Sequence, residues 1–115
     1  MDYKGSCHCG KVAFEVSGDI GSVLSCNCSM CQRRGSLLWF VPHQQLRLLT
    51  PEENAGTYMF NKHVIRHRFC PLCGIHVYGE GHDPKGNAMA AINARVLEGI
   101  DPAALPVTHF DGRSR

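Results

Sequence analysis

The segment CPLCG, Cys70 to Gly74, decides how this chain can fold. Its two cysteines have the spacing of a knuckle that supplies two of the four sulfur ligands of a tetrahedral metal site. Gly74 lets the chain reverse direction while backbone N–H groups point toward the sulfurs. The other two sulfurs must come from elsewhere, and Cys7 and Cys9, about sixty residues earlier, are the remaining pair. A closed four-cysteine site would connect the N-terminal strand to a later sheet, which suits a small domain with a marginal core.

Three further cysteines lie together in CNCSMC, at positions 26, 28 and 31. The total of seven is odd, which argues against complete pairing in disulfides and divides naturally into four plus three. Cys26 and Cys28 stand two apart at the end of a predicted strand, so they can face the same side, and Cys31 returns over them on the next turn. Three protein ligands with a vacant fourth position is the arrangement typical of catalytic zinc. We call Cys7, Cys9, Cys70 and Cys73 the quartet, and Cys26, Cys28 and Cys31 the trio.

Length and composition limit the class of protein. The chain has 115 residues, 43% of them apolar and 19% charged, which predicts one globular domain over residues 1–115. The formal charge of +2 becomes −1 if seven thiolates bind two divalent ions, so the overall charge does not favour nucleic acid. No apolar run approaches the roughly 18 to 20 residues of a membrane span, and MDYKGSCHCG does not resemble a leader. We therefore expect a cytoplasmic protein without membrane association, of unknown oligomeric state.

Short runs rich in β-branched and aromatic residues, separated by Gly, Pro and Asn, predict a mainly β fold. The first run alternates, with Val12, Phe14 and Val16 on one face. The predicted strands are Lys11–Val16, Ser22–Asn27, Leu37–Val41, Thr57–Asn61, Val64–Phe69, Ile75–Gly79 and Ala88–Asn93.

Two short segments look helical. Ser29–Arg34 can be capped by Ser29, and in Asp101–Leu105 an aspartate precedes Pro102, which is a favourable helix start. Thr50–Gly56 is predicted as a polar connection, and Gly79–Asn87 as a longer, flexible connection at the surface.

Other interpretations of the cysteines remain open from the residues alone. CPLCG could be a redox pair, although it lacks the strand and long helix of a thioredoxin-like motif. One of the seven histidines could complete the trio and make it a second structural site. For any single histidine, however, a surface or satisfied core position is the more common explanation.

Three blocks, GSCHCGKVAFEV, SCNCSMCQRRG and RFCPLCG, together resemble the signature blocks of the glutathione-dependent formaldehyde-activating enzyme family, which also contains centromere protein V. The resemblance implies a β-tent fold. It also implies a structural zinc on the quartet and a catalytic zinc on the trio. The activity it implies is condensation of glutathione with formaldehyde to S-(hydroxymethyl)glutathione, classed in reverse as a carbon-sulfur lyase.

Two function classes follow. In the first, an enzyme, glutathione or another small thiol occupies the fourth position at the trio and attacks an aldehyde. Arg33, Arg34 and the Lys62 to Arg68 segment are candidate partners for the thiol's carboxylates. In the second, the protein is a zinc-stabilised binding module without catalysis.

Overall fold

The computed structural model describes residues 1–59 and 65–114. Within them the chain forms strands and one short α-helix, α1, at Ser29–Arg34. The strands are β1 Asp2–Ser6, β2 Ala13–Ser17, β3 Val23–Cys26, β4 Leu38–Pro42, β5 Leu46–Leu48, β6 Gly56–Tyr58, β7 Arg66–Phe69, β8 His76–His82, β9 Ala88–Asn93 and β10 Val107–Phe110. The mainly β class with little helix is confirmed.

The strands form two sheets. The smaller has three strands in the order β1-β2-β5, and the larger has seven in the order β10-β3-β4-β9-β8-β7-β6. Neighbouring strands are antiparallel except β10, which pairs parallel with β3. Both cysteine groups lie at strand ends, where the chain leaves one sheet or turns back.

A hydrophobic core lies between the two sheets. Val12, Phe14 and Val16 are all less than 3% exposed, which confirms the alternation predicted from the sequence. From the larger sheet, Trp39 and Ile92 belong to the same cluster. Alternate residues of that sheet therefore point toward the opposite face, away from the core.

A β-bulge in β8 changes which residues face that opposite side. Arg68 pairs with Tyr78 and Phe69 with His76, so Val77 is an extra residue on the β8 side. In a regular strand His76 would share a face with Tyr78, which is buried in the core. The bulge places His76 instead on the face that carries Gly79 and Gly81.

Several local predictions need correction. β1, β5 and β10 were not predicted, because each is short and its sequence alternates poorly. The connection predicted at Gly79–Asn87 is wrong in its first part, since β8 continues to His82. The predicted strands Thr57–Asn61 and Val64–Phe69 lie partly outside the described residues.

Both segments predicted as helical form helical turns in the structure, but the cap of the first and the helix type of the second differ from the prediction. α1 has the predicted bounds, but its N-cap is Cys28, whose sulfur accepts the N–H of Cys31. Asp101 caps a short 3-10 turn through the N–H of Ala103. Among the described residues, no helix combines the length and apolar character needed to cross a bilayer.

Candidate metal centres

The fold brings the quartet together from two distant turns. Cys7 and Cys9 lie between β1 and β2, and Cys70 and Cys73 lie between β7 and β8. The Sγ atom of Cys9 is 3.7 Å from that of Cys7 and 3.5 Å from that of Cys70, and all four sulfurs lie within 4.8 Å of one another. Ligands bound tetrahedrally at about 2.3 Å would lie about 3.8 Å apart. The spacing therefore suits a metal ion.

Backbone groups around the quartet favour ionised sulfur. Val12 N–H donates to Cys7 Sγ at 3.3 Å, and Cys73 N–H donates to Cys70 Sγ at 3.4 Å. The N–H groups of Cys9 and Ile75 lower the pKa of the Cys73 thiol to about 6. Such donors are the usual surroundings of metal-bound thiolates.

The trio lies where β3 passes into α1. Cys26 ends the strand, Cys28 caps the helix and Cys31 lies in its first turn. The N–H of Cys28 donates to Cys26 Sγ at 3.4 Å, and that of Cys31 donates to Cys28 Sγ at 3.3 Å. The three sulfurs lie within 4.8 Å of one another and are partly exposed. This group too could hold a metal ion.

The trio thiols differ in acidity. Burial opposes ionisation of Cys28, but the N–H and thiol of Cys31, with Cys26 and Met30, outweigh it and lower the Cys28 pKa. Burial, followed by the neighbouring Cys28, raises the Cys31 pKa. Of these two thiols, Cys28 therefore loses its proton more readily than Cys31.

No fourth ligand for the trio is found in residues 1–59 and 65–114. No histidine or carboxylate atom there lies within 4.8 Å of all three sulfurs. The alternative in which a histidine completes the site is thus not seen for the described histidines, and His63 lies outside them. All seven cysteines are free thiols, so this structure contains no disulfide between the two cysteines of CPLCG, the segment for which a redox pair was the alternative.

The trio forms one wall of a cavity of about 530 Å³ on the side of the larger sheet that faces away from the core. This volume is within the roughly 300 to 1,000 Å³ of small-molecule sites. Most of the lining is apolar, including Leu38 and Phe40 of β4 and Met89 of β9.

Arg34 and His76 line the same cavity, and each has a buried polar atom without a hydrogen-bond partner among the described residues. Arg34 Nη1 and His76 Nε2 are buried and, in the described part of the chain, have no hydrogen-bond partner. His76 is 8% exposed, and its Nδ1 lies 2.8 Å from Ser36 Oγ. Burial, with repulsion from the Arg34 cation, lowers the His76 pKa to about 3, so the ring is neutral at pH 7. Unpaired buried polar atoms are rare and call for a partner.

Sequence reasoning missed the C-terminal segment of the trio site. Asn27 N–H donates to the Phe110 carbonyl at 3.2 Å, and the Asn27 side chain bonds Asp111 at 3.0 Å. A Cβ added at Gly112 would lie 2.5 Å from Cys26 Sγ, so backbone packs directly on the trio. The short VTHF run, followed by Asp111 and Gly112, was the available signal.

The model of the glutathione-dependent formaldehyde-activating enzyme family matches residues 2–110. The chain belongs to this family. The matched residues include both cysteine groups, the strands of both sheets and the residues that line the cavity. These features therefore lie within the part of the chain that the glutathione-dependent formaldehyde-activating enzyme family model describes.

Two known proteins are similar to this family member, one in sequence and one in both sequence and structure. A Colletotrichum graminicola protein that carries the family's name is 29% identical over 84 residues, which cover 68% of this chain and 44% of that protein. The chain therefore spans less than half the length of that relative. A crystal structure of a Rhodobacter sphaeroides protein is 32% identical, with a TM-score of 0.78, and covers 91% of this chain and 99% of the other.

Proposed function

We propose that this chain condenses a small thiol, such as glutathione, with an aldehyde at the trio, which holds a catalytic zinc ion, while the quartet holds a structural zinc ion. The observation that carries the proposal is a three-sulfur group, with no fourth ligand among the described residues, on the wall of a 530 Å³ cavity. Family membership supports glutathione and formaldehyde as the reference substrates.

Zinc fits the donor sets. All ligands in both groups are sulfur, which selects zinc over hard cations such as magnesium. Three thiolates give a zinc complex a negative formal charge. Such a complex activates water weakly but accepts a fourth sulfur ligand well. A zinc ion bound at the trio would lower the pKa of a thiol ligand and so supply thiolate at neutral pH.

The residues of the chain have defined tasks in this proposal. The N–H groups of Cys28 and Cys31 donate hydrogen bonds to the sulfurs of Cys26 and Cys28, which fixes the positions of these two sulfurs. Arg34 Nη1 and His76 Nε2 supply donors for the aldehyde oxygen as it becomes a hydroxyl. In the tautomer in which Ser36 donates to Nδ1, the neutral His76 ring carries its proton on Nε2 and can donate it in a hydrogen bond.

The reaction needs no oxidant or reductant. The thiol sulfur forms a bond to the aldehyde carbon, the C=O π bond breaks, and the thiol proton ends on the oxygen. The product is a hydroxyalkyl thioether, and the reverse reaction is a carbon-sulfur lyase reaction.

Matched cysteine variants test the proposal. Cys28→Ala and Cys73→Ala are purified with wild type, and zinc content, folding and the rate of glutathione and formaldehyde condensation above the uncatalysed rate are measured. We expect Cys28→Ala to fold with about half the zinc and no activity, and Cys73→Ala to fold poorly. Equal unfolding of both variants, or no wild-type condensation above the uncatalysed rate, would instead support a zinc-stabilised binding module. Unchanged activity in Cys28→Ala would show that the reaction does not take place at the trio.

A further inference from the structure

The cavity beside the trio is far larger and more apolar than a one-carbon aldehyde requires. Leu38 and Phe40 of β4 line it together with Met89 and Ala91 of β9. Phe40 is 49% exposed, although its neighbours in the strand, Trp39 and Val41, are buried in the core. An apolar surface of this kind is a common mark of a ligand site.

Two glycines keep the floor of this cavity open. Gly79 and Gly81 of β8 face it, and neither has a backbone conformation that requires glycine. A Cβ at Gly81 would have its nearest contact at 3.5 Å, with Ile65, and one at Gly79 would have its nearest at 3.7 Å. A methyl group could therefore be added at both positions without a clash, and on the cavity side the space it would fill is free for a ligand.

Among the described residues, the charged side chains that line the cavity are Arg34 of α1 and Asp83, which follows β8. Arg34 lies one turn after Cys31 in α1. Burial, with repulsion from Arg34, lowers the pKa of His67 to about 4, so His67 and His76 are both neutral at pH 7. The polar groups can thus bind the reacting carbonyl oxygen next to the trio, while the sheet face beyond them offers apolar contact.

We propose, on the basis of the function proposed above, that the aldehyde substrate carries an apolar chain of several carbons that lies on Leu38, Phe40 and Met89, in the space left by Gly79 and Gly81. The chemistry is unchanged: the thiol sulfur bonds to the aldehyde carbon, the C=O π bond breaks and the thiol proton moves to the oxygen. Formaldehyde would react without filling the cavity.

The thiol body is a poorer occupant of this face. Glutathione has two carboxylates and an ammonium group, and burying them against apolar side chains without partners is costly. Its body is better placed toward solvent, where its charged groups stay hydrated. The aldehyde chain then takes the apolar floor.

Stable thioethers test this inference by binding. Calorimetry compares S-hexylglutathione with S-methylglutathione on zinc-loaded wild type, Gly81→Val, Gly79→Ala and the control Gly21→Val, a position with nothing within 4 Å of an added Cβ. Each fully buried methylene strengthens binding about fourfold, so partial burial of the hexyl chain should give wild type a preference of about tenfold or more. We expect Gly81→Val, and to a smaller extent Gly79→Ala, to reduce that preference while the control keeps it.

Equal affinities in wild type, no binding of the hexyl compound, or an unchanged preference in both cavity variants would overturn the inference. Condensation assays with glutathione separate it from the proposed function. Catalysis with hexanal exceeding that with formaldehyde supports the inference, whereas catalysis with formaldehyde alone refutes it and leaves the proposed function intact. Catalysis with neither aldehyde refutes the proposed function.

Discussion

Cys9 and Cys70 are 61 positions apart in the chain, yet their Sγ atoms lie 3.5 Å apart. Cys9 belongs to the turn between β1 and β2 of the smaller sheet, and Cys70 to the turn between β7 and β8 of the larger one. A metal ion on the quartet would therefore fix one sheet to the other. The stability of the chain should depend on that ion more than on any ion at the trio.

Metal removal is the first test of this dependence. Treatment with a strong chelator should lower the unfolding temperature of wild type by about 10 °C or more, because a structural site contributes several kcal/mol to a chain of this size. The Cys28→Ala variant retains the quartet, so the chelator should lower its unfolding temperature by nearly the same amount, as measured by thermal circular dichroism. A chelator without effect, or a Cys28→Ala variant already as unstable as chelated wild type, would contradict this.

The sequence predicted the cysteine partition because spacing alone restricts which sulfurs can meet. Cys70 and Cys73 form a local turn, and Cys26 and Cys28 share one side of a strand end. The cavity was not predictable in this way. It depends on which strands become neighbours and on the β8 bulge, and both are set by long-range packing.

His76 illustrates the limit of sequence reasoning. No spacing distinguishes it from the other histidines, and strand parity would place it with Tyr78 in the core. Only the bulge brings it to the cavity. Gly112 was missed for a similar reason, because its approach to Cys26 requires the parallel pairing of β10 with β3.

Gly112→Ala should weaken metal binding at the trio. The added Cβ would lie 2.5 Å from Cys26 Sγ and 3.3 Å from Cys28 Cβ, so either the sulfur or the C-terminal segment must move. We expect zinc content to fall from about two ions per chain toward about one, with the quartet ion retained. Metal analysis after dialysis measures this, with Gly21→Ala as the control. Two ions bound with wild-type affinity would count against the close packing.

Glu80 should stabilise the chain in a pH-dependent way. Its side chain is 10% exposed and contacts His43 Nε2 at 2.8 Å, Arg68 Nη1 at 3.0 Å and Arg66 Nη2 at 3.6 Å. Burial acts to raise the Glu80 pKa, but His43 and the two arginines outweigh it and lower the pKa below its ordinary 4.5. The carboxylate therefore contributes stability above that pH and loses it as the pH falls through the folded-state pKa.

Glu80→Gln should accordingly lower the free energy of unfolding by about 2–3 kcal/mol at pH 7. The deficit should shrink as the pH falls through the folded-state pKa of Glu80, where wild type loses the charge as well. Urea unfolding over a series of pH values from 7 downward measures it, and Glu53→Gln, at an exposed glutamate, is the control. A deficit that stays constant with pH would show that the charge of Glu80 is not its source.

Arg34 should lower the pKa values of His67 and His76, two of the histidines that line the cavity. Burial is the larger cause of their low pKa values, about 4 for His67 and about 3 for His76, and repulsion from Arg34 adds to it. Since the unfolded chain takes up these protons near pH 6.5 and the folded chain does not, stability falls as the pH drops below about 6.5. Arg34→Met removes the repulsion, so both pKa values should rise while staying below 6.5, and the loss of stability should be smaller.

Arg33→Met, one position earlier and exposed, is the matched control. NMR titration of the imidazole nitrogens from pH 7 to 3, which spans both wild-type pKa values, measures the effect. Unchanged titration in Arg34→Met, or an equal rise in Arg33→Met, would mean that the cation at Arg34 does not act on these rings.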